Sequence, residues 1–331
     1  MARSPLTLAA LATSAVDELD VTAAHRLGTG ELGSYDQAVL DTRDGARAII
    51  RVPRTQTAES RASADLVALR ALTAGVRGRL PFAVNTILGQ TAVGSTRAVV
   101  YDFLPGEPVH LATLEAGSAT SASIGSAIAA VHALPTSVVT DAGLAVARPL
   151  DTHATTVALM EQAIATGLVP AALVERWERA SEDAGLWQYA PTVIHGSLSG
   201  DVILADSSRV TGIVDWHALS VGDPALDLFW TLGTSVSDVA DSIIDSYTHS
   251  RGTADRQIRK RATLYSELEI AKWLLHGTRE RSTDIVDDAV RMLHTLVDAV
   301  QNDLERSIGT DTAPVMTVAE VEDMLDRAKR Q

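Results

Sequence analysis

Alternating apolar and polar positions predict a small β-sheet in the first hundred residues. Short runs rich in β-branched residues are separated by turn-forming residues, and Asp44-Gly45 is typical of a hairpin turn because these residues tolerate positive φ. The predicted strands cover residues 21–26, 34–40, 46–52, 82–88 and 96–103. Residues 58–74 instead show helical spacing, so the pattern predicts an antiparallel sheet with one inserted helix.

The extreme N-terminus predicts a helix ahead of this sheet. Ser4 followed by Pro5 is typical of an N-cap and a first helical residue. The apolar run that follows is short and is broken by Thr7, Thr13 and Ser14, which favours a cytoplasmic amphipathic helix over a signal peptide. No stretch is apolar for long enough to cross a membrane, so we expect a cytoplasmic protein without a membrane partner.

Helical patterns dominate after a turn-rich break at residues 105–108. We place a domain boundary there, with a β domain over residues 1–104 and a mainly helical domain over residues 105–331. Helices are predicted at residues 119–133, 155–164, 171–184, 264–275 and 285–304. A β-rich insert interrupts them, with strands predicted at residues 192–195, 202–204 and 210–214.

Composition narrows the possible functions. Hydrophobic residues make up 46% of the 331 positions, which is enough for a large core. The net charge of -14 argues against non-specific nucleic-acid binding, which requires a basic face. An acidic surface attracts cationic small molecules, although solubility alone accounts for such a charge. The absence of cysteine excludes disulfides, thiolate metal sites and a cysteine nucleophile.

The clearest chemical pattern lies between residues 193 and 227. A strand-like Val-Ile run leads into His195-Gly-Ser197, and Asp215 closes a later Gly-Ile-Val run. A lone Asp after a strand is commonly a turn or capping residue. An apolar strand that delivers a carboxylate into a cleft is also what a magnesium–nucleotide site requires. The pattern ends in Gly-Asp223-Pro-Ala-Leu-Asp227.

These motifs resemble the signature of the aminoglycoside and macrolide phosphotransferases. In that family a His-Gly-Asp loop precedes an Asn and an Ile-Asp-Trp strand end. Residues 124–135 are similar to the helix before the catalytic loop, and residues 49–54 look nearest to the macrolide branch. The resemblance implies an α+β, two-lobed, protein-kinase-like fold with a catalytic-like loop at 193–227. It also implies transfer of the γ-phosphate of ATP or GTP, with Mg²⁺, to a hydroxyl of a small-molecule acceptor.

The resemblance also implies roles for individual residues in nucleotide binding. Asp215 would hold the magnesium ion. The turn around Gly28 and Gly30 would lie over the phosphates, although an ordinary β-turn explains these glycines as well. The strand ending at Asp102 and Phe103 would contact the purine through its backbone, unless it is a plain edge strand.

A basic residue that contacts the phosphates is expected on the third strand. The chain's three lysines all lie in its last quarter, so Arg51 takes this place, and Arg forks onto phosphate oxygens. The resemblance makes Asp65 its acidic partner, with an exposed surface Asp as the alternative. Asp223 and Asp227 would brace the catalytic loop, and Asp223 could also cap a helix that starts at the following proline.

Two residues depart from the family pattern. Ser197 stands where the family has its catalytic Asp, and a serine hydroxyl is a poor general base. Val202 stands where the second metal ligand is expected and cannot bind a metal. His195 and Ser197 remain the catalytic candidates, with His217 as another possible base, while Asp201 would point away from the site if it lay on a strand. The sequence therefore favours a slowed phosphotransferase or an inactive, ligand-binding pseudokinase. It leaves the acceptor, the nucleotide and the oligomeric state open.

Overall fold

The protein is described by a computed structural model that covers residues 2–28, 33–232, 237–252 and 255–307. The helices, in chain order, are α1 (Pro5–Ala15), α2 (Gln56–Ala71), α3 (Ala74–Arg77), α4 (Ala119–His132), α5 (Ser137–Thr140), α6 (Pro149–Ile164), α7 (Ala171–Glu182), α8 (Ser237–Arg251), α9 (Ile258–Glu280) and α10 (Thr283–Ser307). The strands are β1 (Val21–Arg26), β2 (Tyr35–Thr42), β3 (Arg47–Pro53), β4 (Ala83–Val84), β5 (Ile87–Val93), β6 (Thr96–Asp102), β7 (Glu107–Pro108), β8 (Thr192–Ile194), β9 (Ile203–Ala205), β10 (Val210–Ile213) and β11 (Ser220–Gly222).

The N-terminal strands form a five-stranded antiparallel sheet in the order β1-β2-β3-β6-β5. Its central strands alternate between more and less buried positions, as expected when one face of each strand packs against a core. The predicted antiparallel sheet is confirmed, and four of its five predicted strands correspond to β1, β2, β3 and β6.

Helix α1 packs against one face of this sheet. Ser4 caps it as predicted, because the Ser4 side chain accepts a hydrogen bond from the backbone N–H of Thr7. Leu8 and Ala12 on α1 are buried. They belong to one hydrophobic cluster with side chains from three strands, namely Ala38, Leu40, Ala48, Ile50, Val52, Ala98 and Val100. The N-terminal helix is therefore part of the core of this sheet.

The predicted strand over residues 82–88 is wrong as a single element. The structure divides it into β4 and the start of β5, which belong to different sheets. Strand β4 pairs in parallel with β10, with Ala83 opposite Gly212, whereas β5 pairs with β6. The break falls where Arg77 donates to the carbonyls of Val84 and Asn85, so these carbonyls bind a side chain instead of a neighbouring strand.

A second, four-stranded sheet has the order β4-β10-β9-β7. Its strand β10 precedes Asp215. Strands β8 and β11 pair with each other as a separate two-stranded ladder within the 193–227 region. The strand predicted at residues 202–204 begins one residue later in the structure. Residues Gly200–Val202 instead form a 3₁₀ turn, and β9 starts at Ile203.

The chain divides into two compact units. One comprises residues 1–159 and 179–269 and holds both sheets and the loop at 193–227; the other comprises residues 160–178 and 270–331. In the second unit, the Trp273 indole on α9 donates to Asp288 on α10, and Ala289 and Leu293 of α10 are buried. The lobe boundary at residues 104 and 105 stays a prediction. Across the described ranges, no helix combines the length and the apolarity that a membrane span needs.

Candidate active site

The loop that follows β8 is held by a buried carboxylate. Asp227 accepts hydrogen bonds of 2.7 Å from the backbone N–H groups of both His195 and Gly196. The Nε2 atom of His132 on α4 lies 3.1 Å from the same carboxylate, and its Nδ1 lies 2.9 Å from the Tyr247 hydroxyl. The Asp227 carboxylate is fully buried, and the hydrogen bonds it accepts offset the cost of removing it from water. Two of these bonds come from backbone N–H groups of the loop, so they hold the loop backbone in place.

Electrostatics keep Asp227 ionised. Burial alone would raise its pKa, but the hydrogen bonds from His132 and from the Gly196 N–H hold the pKa of Asp227 below its usual value. For His195, burial lowers the pKa, so the ring favours its neutral form. Asp227 thus carries the negative charge in this network.

Asp223, the second buried carboxylate of this region, is paired with Arg261. The guanidinium of Arg261 on α9 donates to both oxygens of Asp223, at 2.7 and 3.1 Å, and both side chains are fully buried. The Tyr265 hydroxyl donates to the same carboxylate at 2.7 Å. Asp223 also accepts from the backbone N–H of Ala225, as an N-cap of the 3₁₀ turn Pro224–Asp227. Asp223 therefore both pairs with Arg261 and caps this turn, and its bracing of the loop stays a prediction.

Asp215 lies in a strained turn two residues after the end of β10. Its φ of 67° is in the left-handed region, which Asp adopts more readily than most residues and which is often found at functional sites. Its side chain is 27% exposed, and its Oδ1 lies 3.2 Å from Nδ1 of His217. Burial opposes ionisation, but this hydrogen bond and the charge of Arg51 hold the pKa of Asp215 below its usual value. The same hydrogen bond raises the pKa of His217.

Asp215, Arg51 and Asp65 line one small cavity. Its volume is about 10 Å³, the space of roughly one water molecule, and Tyr35 and Tyr101 also contribute to its wall. The Arg51 guanidinium lies over the Tyr35 ring, 4.3 Å from its centroid, and its Nε is buried without a hydrogen-bond partner. An unpaired buried donor beside a carboxylate is a site where an anionic ligand would recover a lost hydrogen bond.

Asp65 binds the turn that follows Asp215. One carboxylate oxygen accepts from the backbone N–H of Trp216 at 2.8 Å, and the other accepts from the Tyr101 hydroxyl at 3.2 Å. Asp65 is buried, so it is not the exposed surface residue considered as the alternative. Burial and the nearby charge of Asp215 raise its pKa to about 6. Within the described part of the chain no hydrogen bond joins Arg51 to Asp65, so that pair stays a prediction.

The remaining predicted nucleotide contacts lie around the five-stranded sheet. Gly28 has a φ of 79°, and a side chain there would collide with Gln37. Gly30 lies outside the described residues. The backbone N–H groups of Asp102 and Phe103 already donate to the carbonyls of Thr86 and Arg47. A purine at this strand would therefore have to use other backbone groups.

The two departures from the family pattern occupy the same loop region. Ser197 is half-buried, and its Oγ lies 3.3 Å from Nδ1 of His195. The backbone N–H of Val202 closes the 3₁₀ turn onto Ser199. Asp201 is exposed within that turn and not on a strand, so the strand geometry expected for it is wrong. Across the described residues, no three carboxylate or histidine side chains cluster closely enough to hold a metal ion together.

Three contacts of this site escaped sequence reasoning: His132 with Asp227, Arg261 with Asp223, and Trp216 with Asp65. His132 lies in the segment at 124–135 that resembles the family, and this was the one available signal for its role. Arg261 lies in an ordinary helical pattern, and a backbone N–H such as that of Trp216 has no residue-type signal at all. These contacts needed the tertiary structure.

The antiparallel sheet, the braced loop after β8 and the mainly helical C-terminal part define a protein-kinase-like fold of the small-molecule phosphotransferases. The chain belongs to the phosphotransferase enzyme family (APH), whose model matches residues 31–265. The family and the fold class predicted from the sequence are both confirmed.

Individual proteins show how far the likeness extends. The macrolide 2'-phosphotransferase MphH from Brachybacterium faecium is 22% identical, with a TM-score of 0.71 over 88% of this chain and 98% of that one. The GDP and kanamycin complex of APH(2'')-IIIa is 18% identical, with a TM-score of 0.70 over the same shares. The uncharacterized protein YcbJ of Bacillus subtilis (strain 168) is 27% identical over 211 residues. That match covers 60% of this chain and 66% of YcbJ, slightly less than two thirds of its length.

Proposed function

We propose that this protein binds a nucleoside triphosphate beside Asp215 and transfers its γ-phosphate to a hydroxyl of a small molecule. The observation that carries the proposal is the shared cavity of the Asp215 carboxylate and the Arg51 guanidinium. A metal ion and a triphosphate need an anionic and a cationic group at one place, and Arg binds phosphate oxygens through its fork of donors. The strained backbone of Asp215 and the unpaired Nε of Arg51 are consistent with a site prepared for a ligand.

The donor set fits Mg²⁺ with one protein carboxylate. Mg²⁺ is commonly bound by one or two carboxylates, with substrate phosphates and water completing its shell. Asp215 would hold the ion, while Val202 offers no donor. When bound, the ion would neutralise charge on the phosphate oxygens. Asp65 would keep Asp215 in place through the Trp216 N–H, and Arg51 would bind the phosphates.

A small-molecule acceptor agrees with the relatives. One is a macrolide phosphotransferase by name, and another is solved with GDP and kanamycin. The net charge of -14 adds support for a cationic acceptor, because a negative surface raises the local concentration of cations. Either ATP or GTP would serve as the donor.

A second candidate is a pseudokinase that binds nucleotide or a small ligand without turnover. Ser197 and Val202 favour it, because they remove the family's general base and one metal ligand. Loss of a positioned base alone costs about 10²–10⁴-fold in rate. The two candidates share the nucleotide site and differ in phosphoryl transfer.

Nucleotide binding is tested by thermal unfolding with and without Mg²⁺. Mg-ATP or Mg-GTP should raise the Tm of the wild-type chain, and Asp215→Ala should abolish the increase. Asp201→Ala is the matched control, because it removes an exposed carboxylate from the same region and should leave the increase intact. A Tm that responds to neither nucleotide would rule out the phosphotransferase and the nucleotide-binding form of the pseudokinase.

Phosphoryl transfer separates the two candidates. Labelled γ-phosphate should appear on one or more members of an aminoglycoside and macrolide panel in a single turnover if the protein is an enzyme. Restoring the family residues with Ser197→Asp and Val202→Asn should increase the rate. An unchanged rate in this double variant would contradict the roles given to positions 197 and 202.

A further inference from the structure

Ser197 and His195 form a hydrogen-bonded pair in the loop after β8. The Ser197 Oγ lies 3.3 Å from His195 Nδ1, and His195 Nε2 lies 3.1 Å from the carbonyl oxygen of Val214. A carbonyl oxygen can only accept, so Nε2 carries the ring hydrogen and Nδ1 keeps its lone pair in the neutral ring. The Ser197 hydroxyl is therefore the donor of the pair, and its proton points at a base.

The base in this pair is rigidly placed. His195 is fully buried and packs against Trp216, with ring centroids 4.6 Å apart. Its backbone N–H is held by Asp227. Burial lowers the pKa of His195, which keeps the Nδ1 lone pair available at neutral pH. Ser197, in contrast, is half-buried and retains contact with solvent.

A nucleophile within reach of a base, with the base oriented by a third group, is the usual arrangement for nucleophilic catalysis by serine. Here the three groups are the Ser197 hydroxyl, the His195 imidazole and the Val214 carbonyl. The O–N distance of 3.3 Å is long for a hydrogen bond, but such contacts are often long before substrate binds. The nucleotide-binding roles proposed for Asp215 and Arg51 do not involve Ser197 or His195.

We propose that Ser197 is a nucleophile that accepts the γ-phosphoryl group of a bound nucleoside triphosphate and becomes phosphoserine. This inference rests on the proposed function, which supplies the nucleotide. In the reaction, Ser197 Oγ forms a bond to the γ-phosphorus, and the bond from that phosphorus to the β–γ bridging oxygen breaks. The nucleoside diphosphate leaves with the bonding electrons, and the hydroxyl proton moves to His195 Nδ1.

The residue type at position 197 makes this reaction possible. A carboxylate there acts on an acceptor hydroxyl as a base, whereas a serine has a proton to lose and an oxygen to phosphorylate. In the absence of an acceptor molecule, phosphoserine should accumulate on the enzyme. The modification can therefore be detected without knowing which small molecule is the acceptor.

The test uses the full chain incubated with Mg²⁺ and either ATP or GTP, without acceptor. Intact mass should increase by one phosphoryl group, and peptide mapping should place it on Ser197. Ser197→Ala should reduce the label to background, whereas Ser199→Ala, a matched change in the same loop, should retain it. His195→Gln should slow labelling by about 10²–10⁴-fold, the usual contribution of a positioned base.

Because His195 is buried, its variant could fail to fold, and a second measurement covers that case. Nitrogen-15 NMR of unliganded wild-type protein should show the neutral ring with hydrogen on Nε2, and Ser197→Ala should shift the Nδ1 resonance. Hydrogen on Nδ1 would overturn the proposal. So would a label on another residue, or an absence of label while nucleotide still raises the Tm, a result that leaves the nucleotide site intact. Absence of both label and thermal shift would remove the proposed function as well.

Discussion

The backbone N–H of Trp216 donates a 2.8 Å hydrogen bond to Asp65 on α2, across 151 positions of the chain. Because Trp216 directly follows Asp215, the helix determines where the candidate metal-binding carboxylate lies. Trp216 is itself fully buried, so the anchor is shielded from water, which strengthens the hydrogen bond. In this structure Asp65 positions the turn, while Arg51 stacks on Tyr35.

Asp65→Ala should destabilise the protein more than Asp65→Asn. Alanine leaves the buried N–H of Trp216 and the hydroxyl of Tyr101 without their acceptor, at a cost of about 1–3 kcal/mol for each unsatisfied group. Asparagine keeps one carbonyl oxygen for Trp216 and presents its amide to Tyr101. Urea unfolding should give the lower free energy of unfolding for the alanine variant. Equal losses in the two variants would contradict the assignment of the difference to these two contacts.

Gly196→Ala should destabilise the protein by more than the strain of a positive φ alone would cause. Gly196 has a φ of 80°, and an added Cβ would lie 2.5 Å from the carbonyl oxygen of Ala218. Gly143→Ala is the control, because its φ is 67° with no atom within 4 Å of the added Cβ. We expect the control to lose about 1–2 kcal/mol from left-handed strain. Thermal unfolding should show a larger loss for Gly196→Ala, and similar losses would argue against the close contact.

Arg261→Met should lower the free energy of unfolding by about 3–5 kcal/mol, because it leaves Asp223 buried without its cation. Arg148→Met is the control. Arg148 pairs with Asp151 on the surface, where water screens the charges, so its loss should have no measurable effect. Chemical denaturation of both variants makes the comparison. A small effect at Arg261 would mean that Tyr265 and the turn backbone satisfy Asp223 unaided.

Acid should weaken the protein partly through Asp227. Its pKa is lowered in the folded state, so as the pH falls below about 4 the unfolded chain binds a proton before the native chain does. The stability that Asp227 contributes is therefore complete above the unfolded pKa and is lost as the pH falls through the folded pKa.

Melting curves over this range check the sign of this effect. Asp227→Asn should be less stable than wild type at neutral pH, and the difference between the two should shrink on acidification. Asp201→Asn removes an exposed carboxylate and serves as the control, with little change at neutral pH. A difference that grows as the pH falls would contradict the assigned direction.

Local sequence signals predicted most of the secondary structure. Strand β1 and helix α4 agree with prediction because turn residues, caps and periodicity all act over a few positions. The single strand predicted over residues 82–88 was wrong because its two apolar halves, on either side of Asn85 and Thr86, do not show which sheet each one joins. Only the pairing of Ala83 with Gly212 and of Ile87 with Tyr101 separates the two halves.

The candidate site was predicted by motif where its residues are close in sequence. Asp215 and the loop from His195 to Ser197 belong to such motifs. The hydrogen bond between Ser197 and His195 was not predicted, although only two positions separate them, because it depends on the direction of the ring. That direction is imposed by Val214 and by the packing of Trp216.

By itself the sequence determined that this is a kinase-like phosphotransferase relative with Ser197 and Val202 in place of an acid and a metal ligand, since residue types and short spacings are local properties. The tertiary structure decided that Asp65 anchors the turn after Asp215, that Asp227 holds the loop through two backbone N–H groups, and that Arg261 neutralises Asp223. These contacts join positions between 31 and 151 residues apart. No local sequence pattern predicts these contacts. They form in the folded chain because a buried polar group without a hydrogen-bond partner carries a large free-energy cost.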